Sequence, residues 1–314
     1  MTVHHCPRCE LRFALRGDLV DHVRRDHVEV EPAVAAPAPT DTRIVVPLDP
    51  AHPRDQAVDV AVGLAGDTTL VDLVSVRDAG LPGVVLDAFL AAERDRFPGV
   101  RTEAHQLDGP DVVTALLGHV VGTACDLVVL ASHGRGPLGE LLLGSVSADL
   151  VRSSPAPTLL VGPSCRPDVR AERLVVGVDG SEDSLGALAV ASHLTNRLGL
   201  GLELVEVAEE LPWTSDVYES AELQRLSTMV DPPVRRWDVL HGSDVSRSLI
   251  DHVGSDAGAV LVLGTHGRSP GRPHVLGGVA ARTVRHAPVP VLVVSPEAAS
   301  TVAARKLAAA ARWG

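Results

Sequence analysis

The sequence predicts an α/β protein: two copies of a doubly wound, Rossmann-like five-stranded parallel-sheet domain, preceded by a small module of different construction. Three observations carry this. From Arg43 onward, short Val- and Leu-rich runs alternate with longer helical patterns, the texture of strands buried between helices. Several of these runs recur in the same order about 130 residues later. The first thirty residues are set apart by EPAVAAPAPTDT, residues 31–42, a Pro- and Ala-rich stretch that reads as a semi-rigid linker.

The repeat is legible run by run. RIVVPLD (43–49) matches RLVVGVD (173–179), and TLVDLVSV (69–76) matches GLELVEV (201–207). CDLVVLASHGRG (125–136) matches GAVLVLGTHGRS (258–269), and SSPAPTLLVGP (153–163) matches RHAPVPVLVVSP (285–296). In the first copy, strands are expected near 44–48, 69–76, 101–106, 126–131 and 157–161. Helices are expected near 54–65, 84–96, 110–124 and 143–152. The first and fourth strands are continuous apolar runs, as strands covered on both faces require. The chain divides into 1–30, the small module; 31–42, a linker; 43–163, the first α/β domain; 164–171, a second linker; 172–296, the second domain; and 297–314, a partly helical tail.

Composition narrows the function classes. The chain has 314 residues, 45 % hydrophobic and 22 % charged, ordinary for a globular protein. Aromatics are only 2 %, so the cores must be built from Val, Leu and Ala. A formal net charge of −12 argues against non-specific binding to nucleic acid or anionic membranes. Four cysteines, two of them isolated, do not make a disulfide framework. Cys125 and Cys165 read as buried or incidental thiols. No apolar run reaches about 18 residues and no signal peptide is visible, so a reducing cytoplasm is the expected setting.

In open α/β sheets, ligands bind at the carboxyl ends of strands where the strand order reverses. Two features converge there. Asp49 and Asp179 end the first strand of each copy. After the fourth strand, each copy carries a spaced series of small residues: Ala131-x2-Gly134-x9-Gly144-Ser145 in the first, Gly264-x2-Gly267-x9-Gly277-Gly278 in the second. Small residues let a ligand approach the backbone, successive N–H groups can form an anion nest, and the helix opening at the last pair favours phosphate.

On these motifs, and on VVGVDGSEDSLGAL and VLGTHGR…HAPVPVLVV, the repeated domain resembles the universal stress protein family in its adenine-nucleotide-binding branch, over nearly all of 43–296. The family signature is G-x2-G-x9-G-[ST], and neither copy has it whole. The resemblance implies an ATP site in the first copy lined by Pro47, Asp49, Val76, Ala131, Gly134, Arg135, Gly144, Ser145, Val146 and Ser147. In the second copy it implies Asp179, Val207, Gly264, Gly267, Arg268, Gly277 and Gly278. The first copy replaces the opening glycine by Ala131 but keeps the hydroxyls of Ser145 and Ser147. The second keeps its glycines but has Gly278 and Ala280 where hydroxyls are expected. One lost hydrogen bond to a charged phosphate costs about 1.5–3 kcal/mol, so the first copy is the favoured ATP site. Asp49 and Asp179 fit hydrogen bonding to adenosine, or helix N-capping. His133, His266, Arg135 and Arg268 lie in the loops with no carboxylate beside them in sequence. No catalytic residue is assigned, and any ATPase would be slow.

The N-terminal module carries Cys6-x2-Cys9-x12-His22-x4-His27, zinc-ligand spacing. Phe13 and Leu19 supply apolar positions between the ligand pairs. The module is too small to bury a core of its own, so metal would provide most of its folding energy. It resembles a ββα zinc finger with two Cys and two His; the aromatic common two residues before the first Cys is His4 here. Base-reading helix positions −1, 3 and 6 would be Leu15, Asp18 and Asp21. Carboxylates facing a polyanion, and five Arg against five Asp or Glu in residues 1–30, argue against DNA. Arg12, Arg16, Arg24 and Arg25 read as a solvated face or a contact for an acidic partner, and the finger as a docking module for an unidentified protein.

The family's fifth strands commonly pair antiparallel, so the two copies are expected to form an internal pseudo-dimer; homodimerisation of the chain stays open. The resulting expectation is a cytoplasmic, ATP-binding, zinc-binding stress regulator. Its rivals are an interaction scaffold without nucleotide, a slow ATPase and a zinc-finger transcription regulator.

Overall fold

The computed structural model describes residues 3–6, 8–9, 11–29, 41–52, 56–77, 82–132, 143–166, 170–208, 216–254, 258–267 and 275–310, without the side chains of 16, 28, 29, 216–220 and 307–310. The N-terminal module forms β1 (His4–His5), β2 (Arg12–Phe13), α1 (Arg16–Asp26) and β3 (His27–Glu29). The first copy follows as β4 (Thr42–Pro47), α2 (Gln56–Leu64), β5 (Thr69–Val76), α3 (Gly83–Asp95), β6 (Thr102–Leu107), α4 (Val112–Gly122), β7 (Leu127–Ala131), α5 (Ser145–Ser153) and β8 (Thr158–Val161). The second is β9 (Arg173–Gly177), α6 (Glu182–Leu198), β10 (Gly201–Ala208), α7 (Asp216–Met229), β11 (Arg236–His241), α8 (Val245–Val253), β12 (Ala259–Gly264), α9 (Gly278–His286) and β13 (Val291–Val294). The tail is helical, α10 (Pro296–Ala310). No described helix is long and apolar enough to cross a membrane.

All strands but β1 and β2 join one sheet of eleven, in the order β3-β11-β10-β9-β12-β13-β8-β7-β4-β5-β6. Within each copy the strands are parallel, and the order reverses beside the first strand, between β4 and β7 and between β9 and β12. Alternation sends side chains to opposite faces. Ile44, Val46, Val129 and Val176 pack in one core with α2, α3, α6 and α10. Val45, Val128, Val175 and Leu261 pack in the other with α4, α5, α8 and α9. Both faces are covered, hence the near-continuous Val and Leu runs.

The copies meet through their last strands. β13 pairs antiparallel with β8, Val291 opposite Leu160 and Val293 opposite Thr158, which is the expected internal pseudo-dimer. Gly162, just past β8, lies against α9: a Cβ there would stand 1.8 Å from the carbonyl oxygen of Val284. The Arg166 N–H donates to the Pro288 carbonyl and the Ser164 hydroxyl to the Arg285 carbonyl, extending the contact.

The N-terminal module is not a detached body. β3 adds to the outer edge of the second copy, antiparallel to β11, with His27 opposite Asp238, Val28 opposite Trp237 and Glu29 opposite Arg236. The linker reading of 31–42 suggested an independent device. Those residues, apart from 41 and 42, lie outside the described ones, but the module's last strand is part of the main sheet.

Candidate functional site

The first candidate site is the Cys/His cluster. A short β1–β2 hairpin (His4 opposite Phe13) presents Cys6 and Cys9, and α1 and the start of β3 present His22 and His27. The sequence placed these four together, and the fold does so: one ligand atom of each lies within 4.8 Å of the others. Nε2 of His22 is 3.2 Å from the sulfurs of both Cys6 and Cys9, and 3.2 Å from Nε2 of His27, which is 3.4 Å from Cys6 Sγ. A tetrahedron with metal–S near 2.3 Å and metal–N near 2.0 Å has edges of about 3.5 Å and about 3.3 Å. Four of the six donor–donor distances, at 3.2–3.4 Å, lie near these edges.

The chemistry of the set agrees. Burial, opposed by the Leu11 backbone and reinforced by the neighbouring Cys6, pushes the Cys9 thiol up to about 12. A cation at the centre would supply the charge that lets these sulfurs ionise. The imidazoles are oriented from behind. Asp26 Oδ2 is 2.6 Å from Nδ1 of His22, and Asp238 Oδ1 is 2.9 Å from Nδ1 of His27. With Nδ1–H donating to a carboxylate, Nε2 carries the lone pair, and Nε2 is the atom that faces the thiols. Burial alone would raise the Asp26 carboxyl, but bonds from His22 and His241 outweigh it and hold the group well below the usual carboxylate range. Asp238 is likewise lowered against its burial by His27, Arg236 and His252. Asp26, Asp238 and His241 have no place in the ligand spacing. Their only sequence signal is charge inside elements that must be covered.

The second candidate site is the crevice of the first copy. Pro47 ends β4, Val76 ends β5 and packs on the core, and Ala131 ends β7. Asp49 is exposed; its Oδ1 accepts the Ala51 N–H at 2.9 Å and its Oδ2 lies 3.0 Å from His52 Nδ1. Gly144 is the N-cap of α5, without a side-chain cap, and Ser145, Val146 and Ser147 form its first turn. Gly144 and Ser145 are exposed, and a Cβ on Gly144 would meet nothing within 4 Å among the described residues. His133, Gly134 and Arg135 lie outside the described residues.

In the equivalent crevice of the second copy, described motif residues bond to one another. Asp179 lies two residues past β9, and its Oδ1 accepts both the N–H and the hydroxyl of Ser181, at 3.0 and 2.6 Å. Gly180 makes this turn at φ 76°, a conformation that suits glycine. Ser181, rather than the aspartate, caps α6 by accepting the Ser184 N–H. Gly267 lies so close that a Cβ would be 2.6 Å from Asp179 Oδ2. Gly264 is held equally tightly against Asp183, 2.8 Å from its Cβ. Oδ2 of Asp183 accepts from the Thr265 hydroxyl and the His266 N–H, both at 3.1 Å. The expectation that no carboxylate stands beside His266 is corrected here: the fold brings Asp183 from the start of α6, with His266 Nδ1 at 3.9 Å. Gly277 caps α9 and donates its N–H to the Thr265 carbonyl at 2.7 Å. Val207 packs on the core, Gly278 opens α9, and Arg268 is outside the described residues. The glycines kept in this copy therefore have packing reasons of their own.

Cys125 and Cys165 are buried, and burial pushes both thiols up to about 12, as inert core residues.

Comparison with known proteins places this architecture. The universal stress protein family profile matches twice, over residues 42–162 and 171–295. Universal stress proteins of Mycobacterium bovis and Mycobacterium tuberculosis are 33 % identical over 189 residues. That alignment covers 55 % of this chain and 63 % of the relatives' length. Another M. tuberculosis universal stress protein is 25 % identical over 234 residues, 67 % of this chain and 79 % of that protein. Among solved structures, a functionally unknown protein from Pseudomonas aeruginosa PAO1 aligns over 85 % of this chain and 96 % of its own, with a TM-score of 0.57 at 17 % identity. A universal stress protein from Archaeoglobus fulgidus aligns over 81 % and 98 %, with a TM-score of 0.52 at 16 % identity. With both halves of the sheet matched by the same profile, the chain belongs to the universal stress protein family.

Proposed function

We propose that this tandem universal stress protein binds one adenine nucleotide, ATP, in the crevice of its first copy, and zinc in its N-terminal finger, acting as a ligand-responsive regulator rather than an enzyme. The contrast between the two crevices carries the nucleotide reading. At the α5 start Gly144 and Ser145 are exposed, a Cβ on Gly144 would meet nothing within 4 Å among the described residues, and Ser145 supplies a hydroxyl. At the α9 start the Gly277 N–H is given to the Thr265 carbonyl, Thr265 and His266 donate to Asp183, and the residue matching Ser145 is Gly278, which has no hydroxyl. A phosphate chain would meet the α5 start and Ser145, and the adenosine end would lie toward Asp49 and Val76. In the second copy, the His266 N–H that could receive an anion is already given to a carboxylate.

The choice of zinc rests on the two thiolates and two imidazoles at tetrahedral spacing. Bound there, the metal would hold α1 to the β1–β2 hairpin, and it supplies no reaction. The exposed Asp18 and Asp21 weigh against a DNA reader.

Native mass spectrometry tests both assignments. The purified protein should carry one zinc, and addition of ATP should add one nucleotide mass. A Gly144→Ala, Ser145→Ala double variant should keep the zinc and lose the nucleotide. Zinc without any nucleotide adduct would favour the scaffold reading instead.

A further inference from the structure

The finger's metal centre does not end at the finger. Of the two carboxylates that orient its imidazoles, Asp26 is the finger's own, but Asp238 belongs to β11, in the middle of the second copy's edge strand. Asp238 is buried to 1 % exposure, and its position is fixed from several sides. Arg236 Nε donates to it at 2.6 Å and Arg8 of the finger at 3.3 Å, while His252 of α8 stands 3.7 Å away. The other carboxylate is reached from the same strand: His241 Nε2 is 3.3 Å from Asp26 Oδ2 and the His241 ring lies 5.6 Å from that of His22. Backbone pairing of β3 with β11 sets His27 opposite Asp238, so the strand register and the imidazole–carboxylate contact enforce each other.

We propose that the metal centre is shared between the finger and the second universal stress protein domain. Asp238 and His241 are positioning residues of the site, and metal binding fastens β3 onto β11 as a clasp over the sheet edge. The inference rests on the finger holding zinc. Outer carboxylates that orient metal-bound imidazoles typically contribute 10–100-fold to metal affinity. Because Asp238 lies in the other domain, that contribution exists only while the finger is docked. By linkage, metal must strengthen docking by the same factor that docking strengthens metal binding. Without the metal, His22 and His27 lose the centre that holds them together, and an edge strand with unpaired backbone groups is uncovered.

The full chain tests this in two ways. Zinc affinity is measured by competition with a chromophoric chelator. Asp238→Asn should weaken it about 10–100-fold and His241→Ala less, while the exposed α8 variant Asp251→Asn leaves it unchanged. The cobalt(II)-loaded Asp238→Asn protein should keep the absorption of a tetrahedral site with two sulfurs, because no ligand has been removed. Circular dichroism confirms that the variant is folded. Independently of any variant, hydrogen exchange of the wild-type peptide spanning 236–241 should quicken on chelation and slow again when zinc is restored. A protein that takes up no zinc overturns the zinc reading and this proposal with it. A protein that takes up zinc, with Asp238→Asn binding as tightly as wild type or with β11 exchange indifferent to the chelator, overturns the clasp and leaves the zinc reading standing.

Discussion

Replacing Gly162 by alanine should destabilise the joint between the two copies while touching neither candidate site. The added Cβ would sit 1.8 Å from the Val284 carbonyl oxygen, well inside any tolerated contact, and the obstacle is backbone that cannot rotate away. α9 and the end of β8 would have to part by roughly 1 Å or more. That motion strains the β8–β13 pairing, whose register pairs run from Val291–Leu160 to Val293–Thr158. Overpacking of this kind costs about 1–3 kcal/mol, and more where backbone must move. Taking about 3 kcal/mol, the melting temperature should fall by about 4–5 °C. Gly118 is the internal control: it is exposed within α4 with nothing within 4 Å of its would-be Cβ, so alanine there should stabilise by about 0.5–1 kcal/mol. Thermal denaturation followed by circular dichroism measures both. If Gly162→Ala melts with wild type, the close approach of the copies at Gly162 is wrong, and with it the continuous sheet.

Two further outcomes follow from the same geometry. Gly264→Ala should cost about 1–3 kcal/mol in urea unfolding, because its Cβ would press on Asp183, whereas Ala131→Gly at the matching place in the first copy should cost less than about 1 kcal/mol. His193 on α6 has its pKa lowered to about 4 by burial and by the nearby cations of Arg197, Lys306 and Arg305. Its unfolded state binds the proton more readily, so stability is full above pH 6.5 and is lost as pH falls toward 4. Allowing for its partial exposure, this is on the order of 1 kcal/mol between pH 6.5 and 5. His193→Gln should remove that part of the slope, and a slope unchanged in paired melts at the two pH values would refute the assignment.

What the sequence made legible follows from periodicity and spacing. β4 and β7 announced themselves as apolar runs because both faces are covered, and the tandem repeat fixed the second copy from the first. The cluster of Cys6, Cys9, His22 and His27 was readable because its spacing belongs to one compact local motif. Its setting was not. The contact between His27 and Asp238 spans 211 residues, and no local pattern points from one to the other. The VDGSEDS stretch makes contacts that its spacing does not announce. The Asp179 carboxylate accepts from Ser181 with Gly267 beside it, while Asp183, two residues beyond Ser181, accepts from Thr265 and His266. Motif glycines mark close approach, but the approaching group can be the protein itself.

Nucleotide binding separates the two copies most directly. Calorimetric titration of ATP into the wild-type chain should give one site per chain. Ser145→Ala should weaken it roughly 10- to 100-fold, as expected for one lost hydrogen bond to a charged phosphate, and Asp183→Asn should leave that site's affinity as it was. Two equal sites, or a single site indifferent to Ser145→Ala, would contradict the assignment of the first copy as the nucleotide-binding half of the protein.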